Sequence, residues 1–181
     1  YFNSKMILFS NLLSKKGNII ADKEINEFPK LKNIAVKRKL NLLTIDKKSM
    51  NNLVKNSLIG KFQIKNFLMS AHAAKLSGLS VKKINSALKN IKSVSGRLEL
   101  ARTLGNQVKV FIDYAHTPDA LSTVLRSLKK HYNSKISLVF GCGGERDQKK
   151  RKIMGKIARG FCDKIYVTDD NPRRENPKKI R

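Results

Sequence analysis

"KISLVFGCGGERD", residues 135–147, is the stretch whose reading decides the fold. Its first seven residues form a continuous apolar strand of the kind that parallel sheets require, and the glycines and charges after them mark a loop. Working backwards, "QVKVFIDY" (107–114) is a strand as well. Between the two, Thr117 is an N-cap with Pro118 at the first helical position, opening a helix to about His131. Leu121, Val124, Leu125 and Leu128 share one face of that helix. Working forwards, a helix runs from about Gln148 to Gly160, followed by the strand "KIYVTD" (164–169). Strand, helix, strand, helix, strand predicts the start of a doubly wound α/β fold.

The earlier half is less regular. Residues 3–14, "NSKMILFSNLLS", place Met6, Leu8, Phe9, Leu12 and Leu13 at helical spacing. "GNIIAD" (17–22) and "NLLTID" (41–46) are short strand candidates. "QIKNFLMSAHAAKLSG" (63–78) is a helix closed by Gly78, and Ser80 caps a second one through about Asn90. This helix pair ends a first domain, 1–94, and "KSVSGRLEL" (92–100) crosses into a second, 95–181. The chain opens on Tyr1 and closes on Arg181 inside what reads as a starting helix, so an internal fragment of a longer protein is expected.

With 181 residues, 40% of them apolar, the chain can build one full domain or parts of two. No window approaches eighteen uninterrupted apolar residues, so no membrane span is expected. Cys142 and Cys162 stand far apart without metal spacing, which suits reduced cytosolic thiols. The net charge of +26 invites a nucleic-acid reading. Aromatic residues are only 7%, with no tryptophan, so platforms for stacking single-stranded bases are scarce. The lysines are spread along the whole chain, as in Lys47, Lys48, Lys82, Lys83, Lys129 and Lys130, and fit a generic solvated surface better than a groove. No nucleic-acid partner is expected.

Three polar clusters fall at the carboxyl ends of three successive strands, where open α/β sheets place their ligands. They are Asp113 to Asp119, "GCGGERD" (141–147), and "VTDDNPRREN" (167–176), in which Pro172 forbids the strand's continuation. Taken singly, each has a bland explanation: a capping histidine, a tight glycine turn, strand-end turn chemistry. On one sheet edge they are expected to converge. The glycine cluster lacks the third glycine of G-x-G-x-x-G and carries Glu145 and Asp147 where a pyrophosphate would sit, against a dinucleotide site. Arg146 in the same loop favours a carboxylate or phosphate ligand.

"GRLEL…VFIDYAHTPDAL…LVFGCGGERDQKKRKIMG…VTDDNPR" resembles the Mur ligases of peptidoglycan synthesis, in their diaminopimelate-adding branch. The resemblance is most specific from Gly96 to Arg173. Upstream, "YFNSKMILFS" is similar to the family's segment with a modified lysine, and "LIGKFQIKN" to its G-x-F-N-x-x-N segment, with Gln63 in place of the first asparagine. The resemblance implies the latter part of a P-loop-type central ATPase domain, followed by the first half of a Rossmann-like C-terminal domain.

It also implies roles. Lys5 matches the lysine carbamylated to become a carboxylate ligand near Mg2+, chemistry that suits a hard cation. Asn66 and Arg97 match residues that contact ATP, and Asp113 the carboxylate that meets the ribose, with Tyr114 and His116 flanking the same nucleotide. Arg146 and Asp170-Asn171-Pro172-Arg173 match the diaminopimelate site, and lysine-adding relatives usually lack the arginine after the proline. His72 and His131 receive only structural roles. The implied reaction is ATP-dependent addition of meso-diaminopimelate to UDP-N-acetylmuramoyl-L-alanyl-D-glutamate through an acyl phosphate, by a cytoplasmic monomer. A lysine-adding or folylpolyglutamate-type ligase would share the ATP residues without Asp-Asn-Pro-Arg. A basic nucleic-acid-binding protein would explain the charge and leave the three clusters unexplained.

Overall fold

The computed structural model describes residues 2–46, 59–88, 90–91 and 93–181. Tyr1, Lys47, Lys48 and Lys92 lie outside the described residues. The chain is α/β and gathers into two compact units, Tyr1–Lys92 and Ser93–Arg181.

In the first unit, α1 (Phe2–Ile7) widens into a π-helical turn, Leu8–Leu12. The helix expected over 3–14 therefore stops early: Leu13 turns extended while its N–H still reaches the Leu8 carbonyl at 2.8 Å. Strands β1 (Asn18–Asp22) and β2 (Asn41–Ile45) pair in parallel, from Asn18 opposite Asn41 to Asp22 opposite Ile45. Parallel neighbours need a crossover, and α2 (Phe28–Arg38) supplies it. Helix α2 is not among the expected elements, although Phe28, Leu31, Ile34 and Ala35 stand at helical spacing and pack on the core. Pro29 in its first turn and the left-handed Lys39 (φ 54°) after its last mark its ends. Helices α3 (Lys61–Leu76) and α4 (Val81–Leu88) follow, with the Lys83 N–H donating to Ser80 Oγ at 3.3 Å in the expected cap. Met6, Ile19, Ala21, Leu31, Ala35 and Leu40 form the main core of this unit, and Ile45 with Leu68 forms a second.

The second unit opens with an antiparallel hairpin, β3 (Glu99–Thr103) and β4 (Lys109–Ile112). The remaining elements are α5 (Pro118–Tyr132), β5 (Ser137–Phe140), α6 (Lys149–Phe161), β6 (Lys164–Val167) and α7 (Pro177–Ile180). Strands β5 and β6 pair in parallel. The expectation of one edge shared by three parallel strands is corrected here: β4 is hydrogen-bonded to β3 and not to β5. The hairpin itself is a local structure. Leu104 and Gln107 close a short turn through Gln107 N–H to Leu104 O and Leu104 N–H to Val108 O, both 2.9 Å, so little loop entropy opposes the hairpin.

Leu121 and Leu125 of α5, Met154 of α6 and Cys142 make the core of this unit, with Leu138 and Phe140 turned towards it. The burial expected on both faces of β5 is met on one. Side chains alternate along a strand, and Val139 is 66% exposed on the other face. Leu125 is 1% exposed, so Leu125→Ala should cost about 2–5 kcal/mol, read as a lowered urea midpoint.

Candidate functional site

Two loops interlock at the carboxyl ends of β5 and β6. The Thr168 N–H donates to Phe140 O and the Gly144 N–H to Asn171 O, both at 2.9 Å. Arg173 Nη1 donates to Gly144 O at 2.6 Å. The approach is so close that a Cβ on Gly144 would stand 1.9 Å from the Pro172 carbonyl oxygen. Asn171 Oδ1 accepts the Arg173 N–H at 3.1 Å, and Arg173 itself sits in the left-handed region at φ 51°. Asn171 thus spends its side-chain and main-chain oxygens on the two loops. Asp170 is exposed, Pro172 is half-buried between the loops, and Arg146 is exposed on the turn that Arg173 clasps. Asp169 pairs with Arg181.

Beneath this turn lies an ion pair that sequence reading missed. Arg151, in the first turn of α6, binds the Glu175 carboxylate in a fork, Nη1 to Oε2 at 2.8 Å and Nη2 to Oε1 at 2.9 Å. Glu175 Oε1 also accepts the Glu145 N–H at 2.5 Å. Hydrogen bonds from Arg151 and then from the Glu145 backbone hold the Glu175 carboxyl below its usual range. Arg151 belongs to the basic run "KKRK", which reads as solvated surface, so nothing in the pattern separates it from its neighbours.

The first cluster is organised by Asp113. Its Oδ2 accepts the Leu98 N–H and its Oδ1 the Ala115 N–H, both at 2.7 Å, tying the approach to β3 to the end of β4. Tyr114 is 64% exposed, with the Arg97 guanidinium 4.7 Å from its ring centroid. The His116 ring meets Tyr114 edge-on at 5.1 Å and its Nδ1 lies 3.0 Å from the Tyr114 carbonyl. This arrangement is an exposed cation–aromatic platform. Lys150 Nζ donates to His116 O at 2.9 Å and so links the platform to α6. That contact ties the first cluster to the helix after the second cluster, while the strands before the two clusters share no ladder.

Lys5 and Asn66 belong to the first unit. Lys5 is exposed on α1, and Asn66 is exposed on α3, where its carbonyl accepts Ser70 Oγ–H at 3.0 Å. Beside Asn66, Lys65 Nζ binds Asp22 at 2.5 Å and Glu24 at 2.7 Å, which anchors α3 to the end of β1. Burial pulls the Lys65 ammonium down, but its hydrogen bonds to the two carboxylates leave it raised overall. Among the described residues, no three His, Cys, Asp or Glu side chains gather into a group that could hold a metal ion. No helix among them is long and apolar enough to cross a membrane.

Comparison with known proteins matches residues 96–181 to the family of the Mur ligase, glutamate ligase domain. Over its full length the chain is 37% identical, across 205 aligned positions, to a UDP-N-acetylmuramoyl-L-alanyl-D-glutamate–2,6-diaminopimelate ligase of Rickettsia bellii, spanning 42% of that protein. A ligase of the same name from Mesorhizobium japonicum is 48% identical over 124 residues, 68% of this chain and 26% of the relative. Among solved structures, a diaminopimelate ligase of that name matches 99% of this chain and 42% of its own, with TM-score 0.57 and 26% identity. A folylpolyglutamate synthase from Thermotoga maritima matches 99% of this chain and 48% of its own, with TM-score 0.71 and 25% identity. The chain spans less than half the length of each of these relatives.

Proposed function

This chain belongs to the Mur ligase family, and we propose that it is part of an ATP-dependent ligase adding meso-diaminopimelate to UDP-N-acetylmuramoyl-L-alanyl-D-glutamate. The observation that carries this reading is the interlock of the Gly143–Arg146 turn with the Asp170–Arg173 loop, which presents two arginines at the carboxyl end of a parallel pair. The distal end of diaminopimelate bears a carboxylate and an ammonium. Arg173 keeps N–H groups beyond the one given to Gly144 and offers a planar fork to that carboxylate. Asp170 offers oxygens to the ammonium, and Arg146 a second cation to the substrate. Asn171 and Pro172 contribute by holding the loop in place before the substrate arrives.

The Arg97–Tyr114–His116 platform suits the nucleotide: a flat aromatic face for a base, with a guanidinium for phosphate charge. In this reading Asn66 is a separate ATP contact on the first unit, and Asp113 shapes the ribose end. The reaction transfers the γ-phosphoryl group of ATP to the D-glutamate γ-carboxylate. The amine of diaminopimelate then attacks the acyl phosphate, forming the amide and releasing phosphate. Holding the amine in line is the work of the second unit, and such positioning supplies much of the catalysis. Mg2+ neutralises phosphate charge in such transfers. Carbamylated Lys5 would supply it oxygen ligands. The same reading takes the enzyme as a cytoplasmic monomer.

The folylpolyglutamate reading draws on the TM-score of 0.71, but a shared fold does not carry a shared substrate. The complete enzyme, given ATP and the UDP-linked dipeptide, should release ADP with diaminopimelate and far less with lysine. Glutamate addition to a folate by the same preparation, with no product from diaminopimelate, would replace this assignment.

A further inference from the structure

The Arg151–Glu175 pair touches no group to which the reaction assigns a role, yet it lies at the base of both substrate loops. We propose that this pair is a positioning device that sets the Gly143–Arg146 turn against the Asp170–Arg173 loop, and so places Arg146 and Arg173 on the amino acid substrate. The inference rests on the reading of these loops as the diaminopimelate site.

Geometry supports it from three sides. Arg151 is carried on a helix whose Met154 and Ala158 are 1% and 0% exposed, so its backbone has a firm seat. Glu175 follows Arg173 by two residues, and its N–H donates to Pro172 O at 3.0 Å, closing the loop from below. Between them, main-chain groups of the turn converge on the pair: the Glu145 N–H on Glu175 Oε1 at 2.5 Å, and the Gly143 carbonyl on Arg151 Nη2 at 3.4 Å.

The backbone conformations say why such a device is needed. Glu145 and Arg173 both have φ 51°, a left-handed conformation that is uncommon and costly for non-glycine residues. One such residue lies on each loop, and Glu175 bonds the first while its own chain connects to the second. The two side chains are 14% and 21% exposed, so the pair is shielded more than a surface ion pair. Both Glu175 oxygens are consumed inside the protein, which makes it a positioning residue rather than a catalytic one.

The test uses the complete enzyme. Glu175→Ala should raise KM for diaminopimelate about tenfold to a hundredfold, the scale expected of an ångström-sized misplacement, with KM for ATP within about twofold. Arg151→Ala should do the same, and the double variant should be no worse than either single one, because the two act as a unit. Glu175→Gln keeps an oxygen for the Glu145 N–H and should recover most of the loss, which a merely structural role does not predict. If Glu175→Ala does not fold, the isosteric Glu175→Gln alone should still raise KM for diaminopimelate about threefold, by losing the charged fork. Equal rises in KM for ATP and diaminopimelate, or no rise where Arg173→Ala produces one, overturn the positioning role. If Arg173→Ala itself leaves diaminopimelate use unchanged, the loops are not the amino-acid site and the proposal falls with that reading.

Discussion

Arg173→Ala in the complete enzyme is expected to lower kcat/KM for meso-diaminopimelate by about 10³- to 10⁴-fold and to leave lysine use nearly unchanged. Lysine lacks the distal carboxylate, so in the wild type it would leave the Arg173 fork desolvated without its anion. Sites that hydrogen-bond a substrate group reject an analogue lacking it by about 10⁴-fold. Removing the arginine removes the reward for diaminopimelate and builds nothing new for lysine, so the preference collapses from one side. Arg173→Lys should recover only part of the loss, because a point charge cannot form a planar fork. The φ of 51° stays held by the residue's N–H bond to Asn171 Oδ1, while Arg173→Ala also gives up the Nη1 bond to Gly144 O. KM for ATP should stay near wild type, since Arg97, Asp113 and Tyr114 are untouched. Steady-state kinetics with both amino acids decide it, and a mutant retaining full preference for diaminopimelate removes Arg173 from the role of reader.

Gly144→Ala should be nearly as damaging, for a reason of space rather than charge. The added methyl would lie 1.9 Å from the Pro172 carbonyl oxygen and 2.6 Å from its carbon, both backbone atoms that cannot swing aside. The loops must part by more than an ångström to accept it. That costs roughly 1–3 kcal/mol of stability, as overpacking does, and about a hundredfold or more in kcat/KM for diaminopimelate. Gly155→Ala is the control. It lies inside α6 with nothing within 4 Å of a built Cβ, and alanine there should stabilise the helix by about 0.5–1 kcal/mol. Thermal unfolding and kinetics of the two variants separate steric parting of the loops from a general intolerance of glycine replacement. A Gly144→Ala enzyme with wild-type diaminopimelate kinetics would mean that the interlock is not needed for binding.

The sequence alone was enough for the elements whose signals are local. Thr117 before Pro118 announced α5, and the structure has the Ala120 N–H on Thr117 Oγ1 at 3.3 Å. The apolar run before Gly141 announced β5, and Pro172 announced that β6 cannot continue. Local signals also placed Arg97, Asp113, Tyr114, Arg146 and Arg173 at strand ends or next to a strand, since ends are where polarity changes along the chain. Helix α2 was missed although Phe28, Leu31, Ile34 and Ala35 keep helical spacing, because lysines and Asn33 break up a short stripe of which only Leu31 and Ala35 are buried.

Pairing was decided only in three dimensions. Strand β4 carries the same apolar pattern whichever neighbour it has, and the short turn at Leu104–Val108 gives it β3 as an antiparallel partner on one edge. The same holds for the loop bonds of Asn171, whose oxygens accept from Arg173 N–H and Gly144 N–H, which no pattern in the sequence announces. It holds most of all for Arg151 and Glu175, which are 24 residues apart and share their charge signs with neighbours that make no such pair. Residue type and spacing determine which chemistry is available to a loop. Which charge becomes a substrate ligand and which becomes a brace depends on where two distant backbones meet, and that is decided when the helices and strands pack.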